Sequence, residues 1–174
     1  MEYNLEYMRY LRIGKRKLRE AETGWLVKEI RKYPDITYIS PYQWRNFRVI
    51  YAAESGKKLA GVCALMFFSD WVKIGPIVVF EQFQGKGIGK KLINKAIEEY
   101  KNNNILIASS NKKVKKILGN YHFLKTGILK LPWEIKIFGI KYLIENLNFI
   151  FLKEVFRKKF VFKRDKFICF IKTN

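Results

Sequence analysis

The segment Gln84-Gly85-Lys86-Gly87-Ile88-Gly89 constrains this chain more than any other. Before it, Trp71 to Phe80 reads as a strand. After it, Ile88, Leu92, Ile93, Ala96, Ile97 and Tyr100 draw one helical stripe. A helix N-terminus turns backbone N–H groups outward and favours anions. Gly85, Gly87 and Gly89 keep side chains out of the approach. The dinucleotide fingerprint GxGxxG does not fit, because the third glycine comes one position early. The Walker pattern GxxxxGK[ST] is absent. The segment therefore predicts a phosphate cradle of another kind.

The surrounding pattern predicts an α/β (α+β) fold. Residues 5–33 read as mostly helical, with Leu18, Trp25, Leu26 and Ile30 on one face. Arg16, Lys17, Arg19 and Lys28 would stay wet, Gly24 allows a break, and Pro34-Asp35 ends the region. Phe47 to Ala53, Leu59 to Phe68 and Trp71 to Phe80 read as an antiparallel meander, with turns at Glu54–Lys57 and Ser69-Asp70. Ile77 to Phe80 is apolar on both faces, as a central strand would be.

A helix Lys90 to Tyr100, a strand Ile105 to Ala108 and a helix capped by Asn111 follow. That last helix would carry Val114, Ile117, Leu118 and Tyr121 on one face. Phe123 to Leu129 suggests a further strand. Trp133 to Phe156 reads as helical, and Phe160–Phe162 and Phe167–Ile171 as strand pieces. The order predicts a mixed, largely antiparallel sheet flanked by helices. The chain reads as one domain: a helical N-terminal segment over residues 1–40, a core over 47–127 and a C-terminal extension over 128–174.

Charge bounds the partners. Thirty-five Lys and Arg stand against fifteen Asp and Glu, a net +20. Such a surface suits phosphate esters, nucleic acid, an anionic membrane or an acidic partner. A solvated basic face explains the same excess. Hydrophobic residues at 49% argue against disorder. Cys63 and Cys169 form no CxxC pair and read as reduced thiols of a cytoplasmic protein. Met1 to Arg12 reads as neither signal peptide nor anchor. One histidine and no clustered cysteines leave no metal site to expect.

The loop resembles the signature of the GNAT N-acetyltransferase superfamily, Q/R-x-x-G-x-G/A between a strand and a helix. Gln84, Gly87 and Gly89 occupy its positions. Asn111, Val114 and Phe123 fit the family's downstream spacing, and the likeness spans roughly residues 47–127. The resemblance implies a GNAT-like sheet and binding of acetyl-CoA or another acyl-CoA. The amides of Gln84, Gly85, Lys86, Gly87, Ile88 and Gly89 would cradle the pyrophosphate. The edge of Ile77, Val78 and Val79 would pair with pantetheine, and Asn111 would lie near it. Lys86, Lys90, Lys112 and Lys113 would face the 3′-phosphate.

The implied reaction is direct attack of an acceptor amine on the thioester, with a backbone N–H near Val79 as oxyanion donor. The family's tyrosine position is Leu118 here, and its glycine position is His122. Tyr121, His122 and Glu81 are the candidate acid and base, with Asp70 behind them. Cys63 reads as a core residue. The segment Trp133 to Arg157 would be a lid over the acceptor site, a contact to a second copy, an in-plane membrane helix or core packing. The contrasting expectation is a non-catalytic module on nucleic acid or an anionic membrane. A third is acylation of a charged tRNA.

Overall fold

The computed structural model describes residues 10–174. Its strands are β1 (Leu11–Lys15), β2 (Val49–Ser55), β3 (Lys58–Phe68), β4 (Trp71–Val79), β5 (Asn104–Ser109), β6 (Leu124–Thr126) and β7 (Ile168–Lys172). Its helices are α1 (Glu20–Arg31), α2 (Pro41–Asn46), α3 (Ile88–Glu99), α4 (Lys112–Leu118), α5 (Trp133–Asn146) and α6 (Phe149–Phe156). The seven strands form one sheet in the order β1-β2-β3-β4-β5-β7-β6. Only β4 and β5 run parallel. The mixed, largely antiparallel sheet is thus the one the pattern predicts.

The pairing of β4 with β5 positions everything that follows. It covers only Trp71–Lys73 against Asn104–Leu106. Beyond Lys73 the two strands part, and among the described residues the β5-facing backbone of Ile74 to Val79 has no strand partner. On one face of the sheet, Val72, Ile74, Ile105 and Ile107 join Leu92, Ile93 and Ala96 of α3 in the main core. On the other, Trp71, Leu106, Cys169 and Ile171 pack with Leu131 and with Ile135 of α5. Phe138 of α5 stacks on Phe68 at 4.0 Å.

Several expectations are corrected. Leu11–Lys15 is an edge strand, antiparallel to β2, rather than helix. Its half-buried Leu11 and Ile13 alternate with exposed Arg12 and Gly14, the period of a strand. The stretch of the expected helix before Tyr10 lies outside the described residues. Gly24 sits within one unbroken helix, α1, and Trp25 is exposed rather than on its buried face. That face carries carboxylates instead, Glu22 and Glu29. Glu22 pairs with Arg16 at 2.7 Å, and Glu29 with Lys32 at 3.0 Å, so neither charge is buried alone.

At the other end, the strand expected over Phe123–Leu129 shrinks to β6, and Ile128–Lys130 is a 3-10 turn. The long C-terminal helix is two helices, because the Asn148 side chain accepts from Phe151 N and starts α6. Phe160–Phe162 is not strand: Arg157–Val161 continues α6 as a wide π turn. Lys158 anchors this turn. Its ammonium is buried and donates to the carbonyls of Ile30, at 2.6 Å, and Ile36. The C-terminal segment is thereby tied to the end of α1.

Candidate active site

The glycine loop is built as a cradle. Gly85 and Gly87 take φ of 76° and 74°, the left-handed region that glycine enters without strain. Gly87 caps α3, so the first helical N–H groups point into open space. A Cβ built on Gly85 or Gly87 meets no protein atom within 4 Å. Gln84 Nε2 donates to the Val79 carbonyl at 3.1 Å, which fastens the loop to the end of β4.

A groove of about 880 Å³ runs from this cradle along the free edge of β4. That size suits a large ligand. Of the expected cofactor residues, Ile77, Val79, Gln84, Gly85, Gly87, Ile88, Gly89, Lys90 and Asn111 line it. Lys112 and Lys113 line it as well. Val78 does not, because it alternates to the opposite face and is fully buried in the core. Lys86 does not line it either: its ammonium lies 5.8 Å from the Phe83 ring. The Asn111 side chain is committed within the protein. Its oxygen accepts from Lys113 N at 2.8 Å and Val114 N at 3.3 Å, and its amide donates to Asp35.

The expected acid and base candidates lie outside the groove walls. Glu81 is exposed and its carboxylate turns to Lys32, 3.0 Å away on the end of α1. Tyr121 closes the 3-10 turn Gly119–Tyr121 after α4 and packs on the main core. His122 is exposed, with φ of 56° in the turn before β6. Asp70 accepts from Asn104 in the β3–β4 turn. Leu118 is buried. Cys63 is fully buried and its thiol is pushed up to about 12 by desolvation, so it is the inert core residue expected.

Two residues that the sequence did not single out stand at the far end of the groove. Lys73 lines it where β4 and β5 part. Its ammonium donates to Met66 Sδ at 3.9 Å, and among the described residues no carboxylate forms an ion pair with it. Burial pushes its pKa down to about 8, with the Cys63 and Cys169 thiols opposing weakly. Tyr142 lines the groove from α5. Its hydroxyl accepts from Gln43 Nε2 of α2 at 3.2 Å, and burial raises its pKa, so it stays protonated. A lone lysine in an otherwise apolar strand was a visible signal. Tyr142 left none, because its partner lies 99 positions away.

Known proteins place this geometry. The model of the acetyltransferase (GNAT) family matches residues 16–118. No curated protein matches the chain. Among solved structures, N-acetylglutamate synthase from Neisseria gonorrhoeae, complexed with coenzyme A and N-acetyl-glutamate, superposes at a TM-score of 0.64 and 15% identity. The match covers 92% of this chain but only 35% of that enzyme. A Mycobacterium tuberculosis protein in complex with CoA gives 0.63 at 10% identity, over 92% of this chain and 99% of its own. A Bacillus subtilis acetyltransferase in complex with CoA gives 0.52 at 26% identity, covering 67% and 78%. A family model that spans residues 16–118, a shared sheet and a large groove at the glycine loop agree. The chain belongs to the GNAT acetyltransferase family, whose chemistry is acyl-CoA-dependent N-acyl transfer.

Proposed function

We propose that this protein moves an acetyl group from acetyl-CoA to an amine by direct attack, with the acceptor entering at the Lys73–Tyr142 end of the groove. One observation carries the reading. A single groove joins the glycine cradle, the free edge of β4 and Lys73, the lysine that β4 contributes to its walls. Residues Gln84 to Gly89 would hold the pyrophosphate through backbone N–H groups, and Lys90, Lys112 and Lys113 supply positive charge nearby. Bound acyl-CoA supplies a thioester carbonyl to the split between β4 and β5.

The chain's own groups then divide the work. The unpaired backbone of Ile77 to Val79 offers an N–H to a developing oxyanion. Lys73, with a pKa near 8, is neutral often enough to take a proton from an incoming ammonium. Tyr142, held protonated, gives its phenolic proton to the departing sulfur. A thiol of ordinary pKa near ~8.5 leaves readily, so this donor assists rather than dominates. Two buried free thiols support a cytoplasmic setting.

The test is thiol release from acetyl-CoA in the presence of an amine panel, with product mass as confirmation. Acceptor-dependent release and a product heavier by one acetyl group are expected. A folded, CoA-binding protein that turns over none of the small amines, peptide amines or aminoacyl-tRNAs would refute the reading.

A further inference from the structure

The two C-terminal helices carry an apolar face that no other described residue covers. The inner side of α5 is accounted for by Ile135 in a core, Phe138 on Phe68 and Tyr142 in the groove. Its outer side carries Trp133, Ile137, Ile140 and Ile144 at three- and four-residue spacing, all exposed. The pattern continues through α6. Phe151 points inward, while Phe149 is 81% exposed and Phe156 60% exposed. Phe156 stacks on Phe160 at 5.7 Å, and that partner is itself 62% exposed. A helix with apolar residues on two opposite faces is ordinarily covered on both. Soluble monomers rarely leave so extended an apolar patch bare.

Charge decides what covers it. Between Leu124 and Phe167 the chain holds eleven Lys and Arg against four Asp and Glu. Glu154 is buried and paired with Arg157 at 2.7 Å, and Lys158 is buried on backbone carbonyls, so nine Lys and Arg stand against Glu134, Glu145 and Asp165 around the two helices. Lys153 and Lys159 flank the aromatic ridge and are exposed. A second copy would set this basic face against its own like, in a chain of net charge +20. An anionic bilayer answers both features. Acyl chains and the interface take Trp and Phe, and acidic headgroups take the lysines around them.

The geometry points to the outer face of α5 and α6 as a docking surface for an anionic lipid bilayer, on which the protein lies without spanning it. No helix among the described residues is long and apolar enough to cross a membrane. Tyr142 roofs the groove from the inner side of the same α5. Docking therefore sets the acceptor end of the groove within about 10–12 Å, one helix diameter, of the headgroups.

The full chain is tested by flotation with vesicles of phosphatidylcholine and phosphatidylglycerol, against vesicles of phosphatidylcholine alone. Binding to the anionic vesicles is expected, weakening about tenfold or more in high salt. The triple substitution Phe149→Ser, Phe156→Ser and Phe160→Ser should weaken it by at least about tenfold, because three aromatic side chains leave the interface. The pair Lys153→Glu and Lys159→Glu should abolish the preference for anionic vesicles. Both variants should titrate coenzyme A as the wild type does, which shows that the fold survives. A CoA-binding wild type that fails to float would overturn the inference. So would binding that ignores lipid charge. A solution dimer that the triple substitution splits would assign the face to a second copy instead.

Discussion

Replacing Lys73 with Met separates stability from activity. The substitution keeps much of the side chain's volume and removes a buried ammonium with no ion-pair partner among the described residues. Burial takes this group from an ordinary 10.5 to about 8 in the fold. A displacement of that size corresponds to roughly 3 kcal/mol. Lys73 keeps partial access to the groove, so about 2 kcal/mol is the expected effect after solvent screening. The folded pKa lies below the unfolded one. The penalty is therefore full below pH ~8 and is released as pH rises toward ~10.5, because the unfolded chain holds the extra proton in that window. At pH 7, Lys73→Met should be more stable than wild type by about 2 kcal/mol in urea denaturation, and the gap should shrink steadily toward pH ~10.

The same variant should lose acyl transfer about 100-fold or more, the usual worth of a general base, while coenzyme A still binds. In the wild type, kcat/KM should climb with pH through about 8, as the lysine becomes neutral. A variant that is less stable at pH 7 would show that Lys73 is well paired in solution. A variant that keeps its turnover and the limb near pH 8 would remove Lys73 from the mechanism.

Tyr142→Phe should lower kcat about tenfold and leave KM for acetyl-CoA nearly unchanged, since only a proton donor to the leaving thiolate is lost. A rate equal to wild type would assign that proton to solvent. Lys158→Ala should cost about 2 kcal/mol in urea denaturation, because the buried carbonyls of Ile30 and Ile36 lose their charged donor. An unchanged midpoint would mean that water replaces the ammonium without loss.

What the sequence made legible was local. The stripe from Ile88 to Tyr100, the Asn111 cap and the three-strand meander each sit within neighbouring stretches of chain, where periodicity and capping act. The elements that escaped depend on distant partners. Leu11–Lys15 becomes a strand only because β2 offers it an edge. The buried face of α1 hides two carboxylates whose cations come from outside the apolar stripe. The site divides the same way. The glycine loop lines the groove where the glycine pattern put it. Glu81 after the central strand, Tyr121 near the family's tyrosine position and the single His122 are what sequence offers as acid and base, yet none of them lines the groove. Its far end is walled by Lys73 of β4 and Tyr142 of α5, with Gln43 of α2 holding the Tyr142 hydroxyl, and its roof arrives late in the chain.

Calorimetric titration of acetyl-CoA decides whether the glycine cradle holds acyl-CoA. A Gly87→Glu variant serves as the comparison. Its side chain would enter the open space above the α3 N-terminus, carry a negative charge to the phosphate position and force φ of 74° on a residue with a Cβ. Binding in the micromolar range is expected for the wild type and none for the variant. A folded wild type that takes up no acetyl-CoA, or a variant that binds as tightly as wild type, would contradict that expectation.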